Sequence, residues 1–268
     1  MTRFAWLLTA ALVTTRARAQ PAPPPAPAIA QVADFTTRAS RLLALAVRGS
    51  GVDYAALRAD PRELDALCDW LGAHGPSSTP AAFATREARL AYWLNAYNLT
   101  VLRAVIALPE GARNVLTARA QGGFFRAEQH RVDGRLRTLD QIENVEIRPV
   151  FRDPRVHMAL NCAAQSCPPL RNEAYTASAL GAQLDSQVAR YLAQPGAVRL
   201  DAAEGRLRVS QIFEWFADDF AASGGVVGFV AARAPRPLAA QITARCLGDA
   251  GACALTYEPY NWSLNLAR

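Results

Sequence analysis

The sequence predicts an α+β fold: a mainly helical single domain with short β-hairpins and a small, mostly antiparallel sheet. Apolar residues recur at helical spacing over several long segments, and two shorter regions alternate apolar and polar residues around turn-forming pairs. Hydrophobic residues make up 51% of the chain, which is enough to form a substantial core. Helical segments outnumber the strands, and most of the strands occur as hairpins.

The helical pattern covers several segments in order along the chain. Residues with this spacing are found in 32–47, 61–71, 81–108, 174–193 and 226–247, the last of which is long enough for one or two helices. A short helix is predicted for Thr138–Val145. Ser210 is expected to cap an aromatic helix over 211–220, since a serine hydroxyl can accept a hydrogen bond from the first free amides of a helix.

The strand pattern predicts two hairpins and two further strands. Asp133-Gly134 lies between short alternating segments of 129–139, which is typical of a type I′ turn. A second hairpin is expected around Ala203-Glu204-Gly205, and a last strand over 254–257. Residues 155–162 are predicted to form a core strand because they are mostly apolar.

The N-terminus has the three parts of a cleavable signal peptide. Arg3 precedes an apolar run over 4–13, and Ala17-Arg18-Ala19 provides the small residues that a signal peptidase requires. A membrane span would need about 20 apolar residues, and this run is too short. We therefore expect a signal peptide over 1–19, a Pro/Ala-rich spacer over 20–31 and one globular domain over 32–268, exported to the periplasm or the medium.

The charge of the chain gives little indication of a charged partner. The formal net charge is +6, but three arginines lie in the predicted signal peptide, which leaves +3 for the mature protein. This small excess, together with export, argues against nucleic acid as a partner. No transmembrane segment is expected after cleavage, and no motif indicates a cofactor. The expected partner is an unidentified ligand or protein of the cell envelope.

Seven segments carry a resemblance to a known family. They are GVDYAAL (51–57), AYWLNAYNLTVLRAVI (91–106), TLDQIENVEIR (138–148), RVHMALNCAAQSCPPLR (155–171), EAYTASALGAQLDSQV (173–188), VSQIFEWFADDF (209–220) and YNWSLN (260–265). In this order they resemble the bacterial domain-of-unknown-function 547 family, from about residue 50 to the C-terminus. The resemblance implies a shared fold and a shared site, but no reaction.

The cluster of His157, Cys162 and Cys167 is the first candidate site. A histidine can keep a nearby thiol ionised, and the thiolate is the nucleophile. In a strand over 155–162, Cys162 would point away from His157, so Cys167 is the better candidate nucleophile. Three alternatives stay open: a Cys162–Cys167 disulfide, inert buried thiols, or a zinc site, for which a convincing fourth ligand is missing and no metal is predicted.

Polar residues in two other segments are further candidates. Asn95 and Asn98 lie one turn apart in an apolar helix, where buried amides need hydrogen-bond partners. They could line a site or tie neighbouring loops to the helix. Glu143 and Arg148 precede the histidine segment, and Glu143 could orient His157 or pair with Arg148.

Cys246 and Cys253 flank a loop with two glycines, and we expect a disulfide between them. This pair is not associated with the family. Cys68 lies on an apolar helix face and is expected to be buried and reduced.

Two functions fit these observations. In the first, the chain is a periplasmic binding or assembly module without catalytic activity, and its Cys, His and Asn cluster is structural or lines a ligand pocket. In the second, it is a thiol-dependent hydrolase or acyl or amide transferase. There Cys167 would attack, His157 would act as base, Glu143 would orient it, and Asn95 or Asn98 would bind the oxyanion. Arg148 and Cys162 would contribute to binding.

Overall fold

The computed structural model describes residues 26–119, 123–248 and 253–267. It has the predicted mainly helical α+β architecture. The predicted signal peptide and residues 20–25 lie outside the described residues. The first helix begins at Ala26, so the last six residues of the predicted spacer are helical. No helix in the described ranges has the length and apolar character that a bilayer span requires.

The helical elements follow one another through most of the chain. They are α1 (Ala26–Ala46), α2 (Tyr54–Ala59), α3 (Arg62–Ala73), α4 (Arg86–Ile106), α5 (Gly123–Arg126), α6 (Leu139–Gln141), α7 (Arg148–Phe151), α8 (Val156–Ala159), α9 (Leu180–Leu192), α10 (Ile212–Trp215), α11 (Gly225–Arg233) and α12 (Arg236–Ile242). Two 3₁₀ turns cover Pro80–Phe83 and Ala217–Ser223, and two π-helical turns cover Ile142–Ile147 and Thr243–Leu247. The π-helical turn after α6 joins it to α7, so the predicted short helix extends beyond Val145.

The strands form three small sheets. They are β1 (Val47–Arg48) with β2 (Gly51–Val52), β3 (His130–Val132) with β4 (Arg135–Arg137), and β5 (Val198–Asp201), β6 (Arg206–Ser210) and β7 (Ala254–Glu258). Both predicted hairpins are confirmed as antiparallel pairs. Asp133 and Gly134 both have positive φ, as a type I′ turn requires. β7 pairs with β6 in parallel, which is the exception to the predicted antiparallel sheet.

The predicted strand over 155–162 is wrong. Asp153 and Pro154 start a turn in which the Asp153 carboxylate accepts a hydrogen bond from the Arg155 amide, and α8 follows directly. A short apolar run does not by itself distinguish a buried strand from a buried helical turn. Because side chains of a helical turn do not alternate between two faces, His157 and Cys162 are not forced apart.

Two hydrophobic clusters make up the core, and α8 joins them. The first surrounds α4, which is buried on nearly all sides because its apolar residues are not confined to one stripe. The second packs β5, β6 and α11 together. Val156 and Ala159 belong to the first cluster, and Met158 belongs to the second. His157 therefore lies at the junction between the two clusters.

Candidate functional site

A cavity of about 670 Å³ opens at this junction. Its lining residues come from α4, the turn between α6 and α7, α8, α10 and the C-terminal segment. They are Tyr97, Leu116, Phe125, Arg126, Asp140, Glu143, Asn144, Arg148, His157, Leu160, Cys162, Pro168, Ile212, Trp215, Phe216, Tyr260 and Trp262. The volume is in the range of small-molecule sites, and the lining combines aromatic rings with a few polar groups, as such sites do.

His157 is held in a defined orientation by Asp219. The distance between His157 Nε2 and Asp219 Oδ2 is 2.7 Å, and the ring stacks on Phe216 with centroids 4.2 Å apart. Burial lowers the pKa of His157, and the hydrogen bond to Asp219 acts in the opposite direction. An ionised carboxylate only accepts hydrogen bonds, so Nε2 carries the proton. In the neutral ring, Nδ1 is then an acceptor, and it has no hydrogen-bond partner among the described residues.

Asp219 is kept ionised by two donors. Its hydrogen bond with His157 holds the pKa of Asp219 well below its usual range, and Arg148 adds to this effect. Arg148 Nε donates to Asp219 Oδ2 at 2.7 Å, and the guanidinium lies 4.4 Å from the centroid of the Phe216 ring. The Asn144 side-chain oxygen accepts a further hydrogen bond from Arg148 at 2.5 Å. His157 and Arg148 thus share one carboxylate oxygen and one aromatic ring.

Glu143 lies on the π-helical turn after α6, and turns of this kind are frequent at functional sites. Burial raises the pKa of Glu143 to about 7, while the positive charge of Arg148 and a hydrogen bond with Tyr97 act to lower it. A carboxyl with this pKa is present in both protonation states at neutral pH. Glu143 can therefore either donate or accept a proton in the cavity.

Cys162 and Cys167 form a pair beside the cavity. Their sulfur atoms are 1.95 Å apart, which is disulfide bonding distance. The hydroxyl oxygen of Tyr260 lies 3.1 Å from Cys162 Sγ and 3.2 Å from Cys167 Sγ. Cys162 lines the cavity, whereas Cys167 is buried and is not among the lining residues.

Three aromatic rings build one wall of the cavity. The centroids of Trp215, Tyr260 and Trp262 are 4.7 to 5.7 Å apart, so the three rings pack on one another. Trp215 is 43% exposed. Such a preformed aromatic surface offers a flat apolar face to a ligand at little cost in conformational entropy.

Residues 81–192 match the family described as "Protein of unknown function, DUF547". The chain carries a DUF547 domain. No curated protein and no solved structure matches the chain.

The DUF547 match confirms the central part of the predicted resemblance. It runs from the 3₁₀ turn before α4 to the end of α9, whereas the sequence motifs predicted a resemblance from about residue 50 to the C-terminus. The DUF547 segment supplies Glu143, His157 and Cys162 to the cavity. The aromatic wall of the cavity comes from the part of the chain that follows, as does Asp219, which does not line the cavity but holds His157. The cavity thus needs both parts.

The structure places Asn95 and Asn98 away from the cavity lining. The side-chain amide of Asn95 exchanges two hydrogen bonds with the backbone of Tyr175, at 2.8 Å each. Asn98 donates to the carbonyl of Ala159 and accepts from the amide of Asn161, at 2.9 Å each. Both side chains hold loops against α4, which is the structural alternative that the sequence left open.

The remaining site predictions need three corrections. Asp219, and not Glu143, contacts the His157 ring, although Glu143 lines the same cavity. Arg148 pairs with Asp219 instead of Glu143. Cys162 replaces Cys167 as the cavity-facing cysteine, because the strand on which the preference for Cys167 rested does not exist.

Sequence reasoning missed Asp219 and the aromatic wall. Asp219 is 62 residues from His157, and only the fold brings them together. Its signal was the pair Asp218-Asp219 inside the aromatic segment 211–220. The motif YNWSLN, quoted for the resemblance, already contained Tyr260 and Trp262.

The other cysteines lie outside the cavity lining. The sulfur atoms of Cys246 and Cys253 are 2.12 Å apart and their Cα atoms 4.7 Å apart, so the predicted pair is confirmed at bonding distance. Cys68 is free and buried, as predicted. In the described ranges, no three His, Cys, Asp or Glu side chains are grouped as metal ligands.

Proposed function

We propose that this chain is a binding domain of the cell envelope, and that its cavity takes up a ligand with a ring face and a hydrogen-bond donor. The unpartnered Nδ1 of His157 carries this proposal. A buried acceptor without a partner costs about 1–3 kcal/mol, and a ligand hydroxyl or amide would remove that cost. A sugar unit combines such donors with an apolar ring face.

The aromatic wall and the charged groups support the same ligand chemistry. Trp215 offers the partly exposed ring on which a flat ligand can stack. Glu143, with a pKa of about 7, can accept or donate a hydrogen bond at neutral pH. Because Asp219 neutralises the charge of Arg148, the Arg148 side chain in the lining does not require an anionic ligand.

Calorimetric titration of the protein with a panel of methyl glycosides, disaccharides and N-acetylated amino acids tests the proposal. At least one compound is expected to bind, and Trp215→Ala is expected to weaken its affinity about tenfold, since stacking contributes about 1 kcal/mol or more. Leu136→Ala is the matched control, because Leu136 is 58% exposed but does not line the cavity. Equal losses in both variants would contradict binding at this wall.

Export is part of the proposal. It rests on the signal-peptide pattern over 1–19, and two cysteine pairs at bonding distance fit an oxidising compartment. The mature protein is expected to begin at Gln20. N-terminal mass analysis of protein from the periplasm or the medium checks this, and retention of Met1 would contradict it.

A cysteine-dependent hydrolase or transferase is the second candidate, favoured by one observation. Cys162 and the oriented His157–Asp219 pair line or adjoin the same cavity, which is the arrangement of a thiol nucleophile, its base and the orienting carboxylate. A thiol reductant would first have to cleave the Cys162–Cys167 bond. The Cys162 thiol would then lose its proton to His157 Nδ1 and attack an acyl carbon. The bond from that carbon to its alcohol or amine would break, and the leaving group would take the proton from His157. Water or an acceptor amine would then release the acyl group from the sulfur.

Labelling with an electrophilic thiol probe at pH 7 separates the two candidates. The hydrolase predicts that mild reduction makes Cys162 react faster than Cys167, and that His157→Asn slows this reaction. The binding domain predicts no such acceleration by His157. Peptide mapping of the labelled protein identifies the modified cysteine.

A further inference from the structure

A second cleft, of about 450 Å³, lies where the β1–β2 turn meets α9. Val47 and Gly49 from the turn, Arg171 and Asn172 from the loop before α9, and Ser186 and Arg190 from α9 line it. The lining contains two arginines and no acidic side chain. Its residues are separate from those of the first cavity.

Arg190 is the less neutralised of the two cations. Its Nη1 donates to the carbonyl of Leu170 at 3.1 Å, and its Nη2 donates to the carbonyl of Gly49 at 2.6 Å. Among the described residues, no carboxylate lies within ion-pair distance of Arg190. These two carbonyls fix the guanidinium at the cleft without cancelling its charge. Burial and the nearby charge of Arg171 lower the pKa of Arg190. A lowered pKa fits a guanidinium whose positive charge is not balanced by a carboxylate.

Arg171 brings a second guanidinium to the cleft. It pairs with Glu173 at 2.5 Å, and its Nη1 donates to the hydroxyl of Ser186 at 2.7 Å. Glu173 does not line the cleft. The two arginines at this opening therefore share a single carboxylate partner among the described residues, and the local charge is positive. The two neighbouring guanidinium groups repel each other, and an anion bound between them would be attracted to both.

We propose that this cleft binds an oxyanion group, either a phosphate or a carboxylate of a ligand. Arginine presents several N–H donors in a planar fork that matches the oxygens of both groups. The side-chain amide of Asn172 adds a neutral hydrogen-bond donor at the same opening. The site is independent of the ligand proposed for the first cavity, because the two share no lining residue.

Calorimetric titration with inorganic phosphate and with acetate, each at constant ionic strength set by chloride, tests this site in the full chain. Binding of at least one of the two above the chloride background is expected, and the stronger of the two identifies the group. Arg190→Gln is expected to weaken binding about tenfold or more, as loss of one charge-assisted contact does. Arg135→Gln, on the exposed side of β4, is the matched control and is expected to leave binding unchanged.

Arg190 also donates hydrogen bonds to two backbone carbonyls, so its replacement could disturb the fold. A second variant tests the site without removing these bonds. Asn172 is exposed, and Asn172→Asp puts a carboxylate at the cleft while leaving every Arg190 hydrogen bond in place. This variant is expected to weaken phosphate and acetate binding about tenfold, because its charge competes with the anion. Binding no stronger than that of chloride, or equal binding in wild type, Arg190→Gln and Asn172→Asp, overturns the proposal.

Discussion

Two sets of buried or half-buried polar side chains lie close together in this molecule, and they differ in how completely their hydrogen bonds are satisfied. The asparagine network consists of Asn95, Asn98, Asn161 and Asn265. Every side-chain oxygen and nitrogen of these four residues has a hydrogen-bond partner. The Asn265 oxygen, for example, accepts from the Tyr54 hydroxyl at 2.7 Å. The cavity set consists of Glu143, His157 and Asp219. There His157 Nδ1 has no hydrogen-bond partner among the residues that the structure describes, and burial raises the pKa of Glu143 to about 7.

The difference shows which polar residues serve the fold and which are available to a ligand. The hydrogen bonds of a fully bonded buried amide offset its desolvation, and none of its donors or acceptors is free to bind another molecule. An acceptor without a partner and a carboxyl with a strongly raised pKa retain that capacity and cluster at functional sites. Burial alone does not make the distinction, since His130 also has a ring nitrogen without a partner in the described part of the chain but does not line the cavity.

The largest expected effect is on the stability of the asparagine network. Asn98→Ala removes two hydrogen bonds and leaves the Ala159 carbonyl and the Asn161 amide without these partners. The free energy of unfolding is expected to fall by about 3 kcal/mol, because each unsatisfied buried group costs about 1–3 kcal/mol. Urea unfolding measures this. The exposed Asn172→Ala is the control, expected to change stability by about 0.5 kcal/mol or less. A similar small change for Asn98→Ala would refute the structural role.

The Cys246–Cys253 pair is expected to stabilise the fold without influencing the cavity. Replacing both residues by alanine opens a loop of about eight residues, which costs about 2.5 kcal/mol in the chain-entropy treatment. Urea unfolding of exported protein checks the loss. Cavity binding should be unchanged, so reduced ligand affinity in this variant would break the separation between fold and site.

Glu143 is expected to make the stability of the protein depend on pH, because its pKa is raised to about 7. Its folded-state pKa of about 7 lies above its ordinary value of 4.5, so between these values the unfolded chain releases a proton that the folded chain keeps. The contribution of Glu143 to stability is therefore fully present below about pH 4.5 and is lost as pH rises toward 7. Glu143→Gln is expected to remove most of this decline, because glutamine does not titrate. Urea unfolding at pH 4.5 and pH 7.5 measures it, and parallel profiles for both proteins would contradict the raised pKa.

The sequence predicts the parts of this molecule that depend on local pattern. The helical spacing of 81–108 predicts α4, observed over Arg86–Ile106, and Asp133-Gly134 predicts the β3–β4 turn. The short apolar run at 155–162 was misinterpreted, since its length fits a strand or a helical turn.

Features that depend on distant pairing were beyond the sequence. The parallel pairing of β6 with β7 joins segments about 50 residues apart, and the His157–Asp219 bond joins residues 62 apart. The sequence indicates His157, Glu143 and Cys162 as candidates, because these polar or reactive residues lie in the segments that carry the family resemblance. The role of each residue, such as the contact of Asp219 with His157 and the position of Cys162 in the cavity lining, depends on which atoms the fold brings together.

The most direct test of the central claim compares two buried histidines in one binding experiment. His157→Asn and His130→Asn each remove an imidazole with an unpartnered nitrogen, but only His157 lines the cavity. For any glycoside or N-acetylated amino acid that binds the wild type, calorimetry should show an affinity loss of about tenfold in His157→Asn, as expected for one lost hydrogen bond, and none in folded His130→Asn. Unchanged affinity in a folded His157→Asn variant, or an equal loss in both variants, would contradict the claim that His157 Nδ1 receives the ligand.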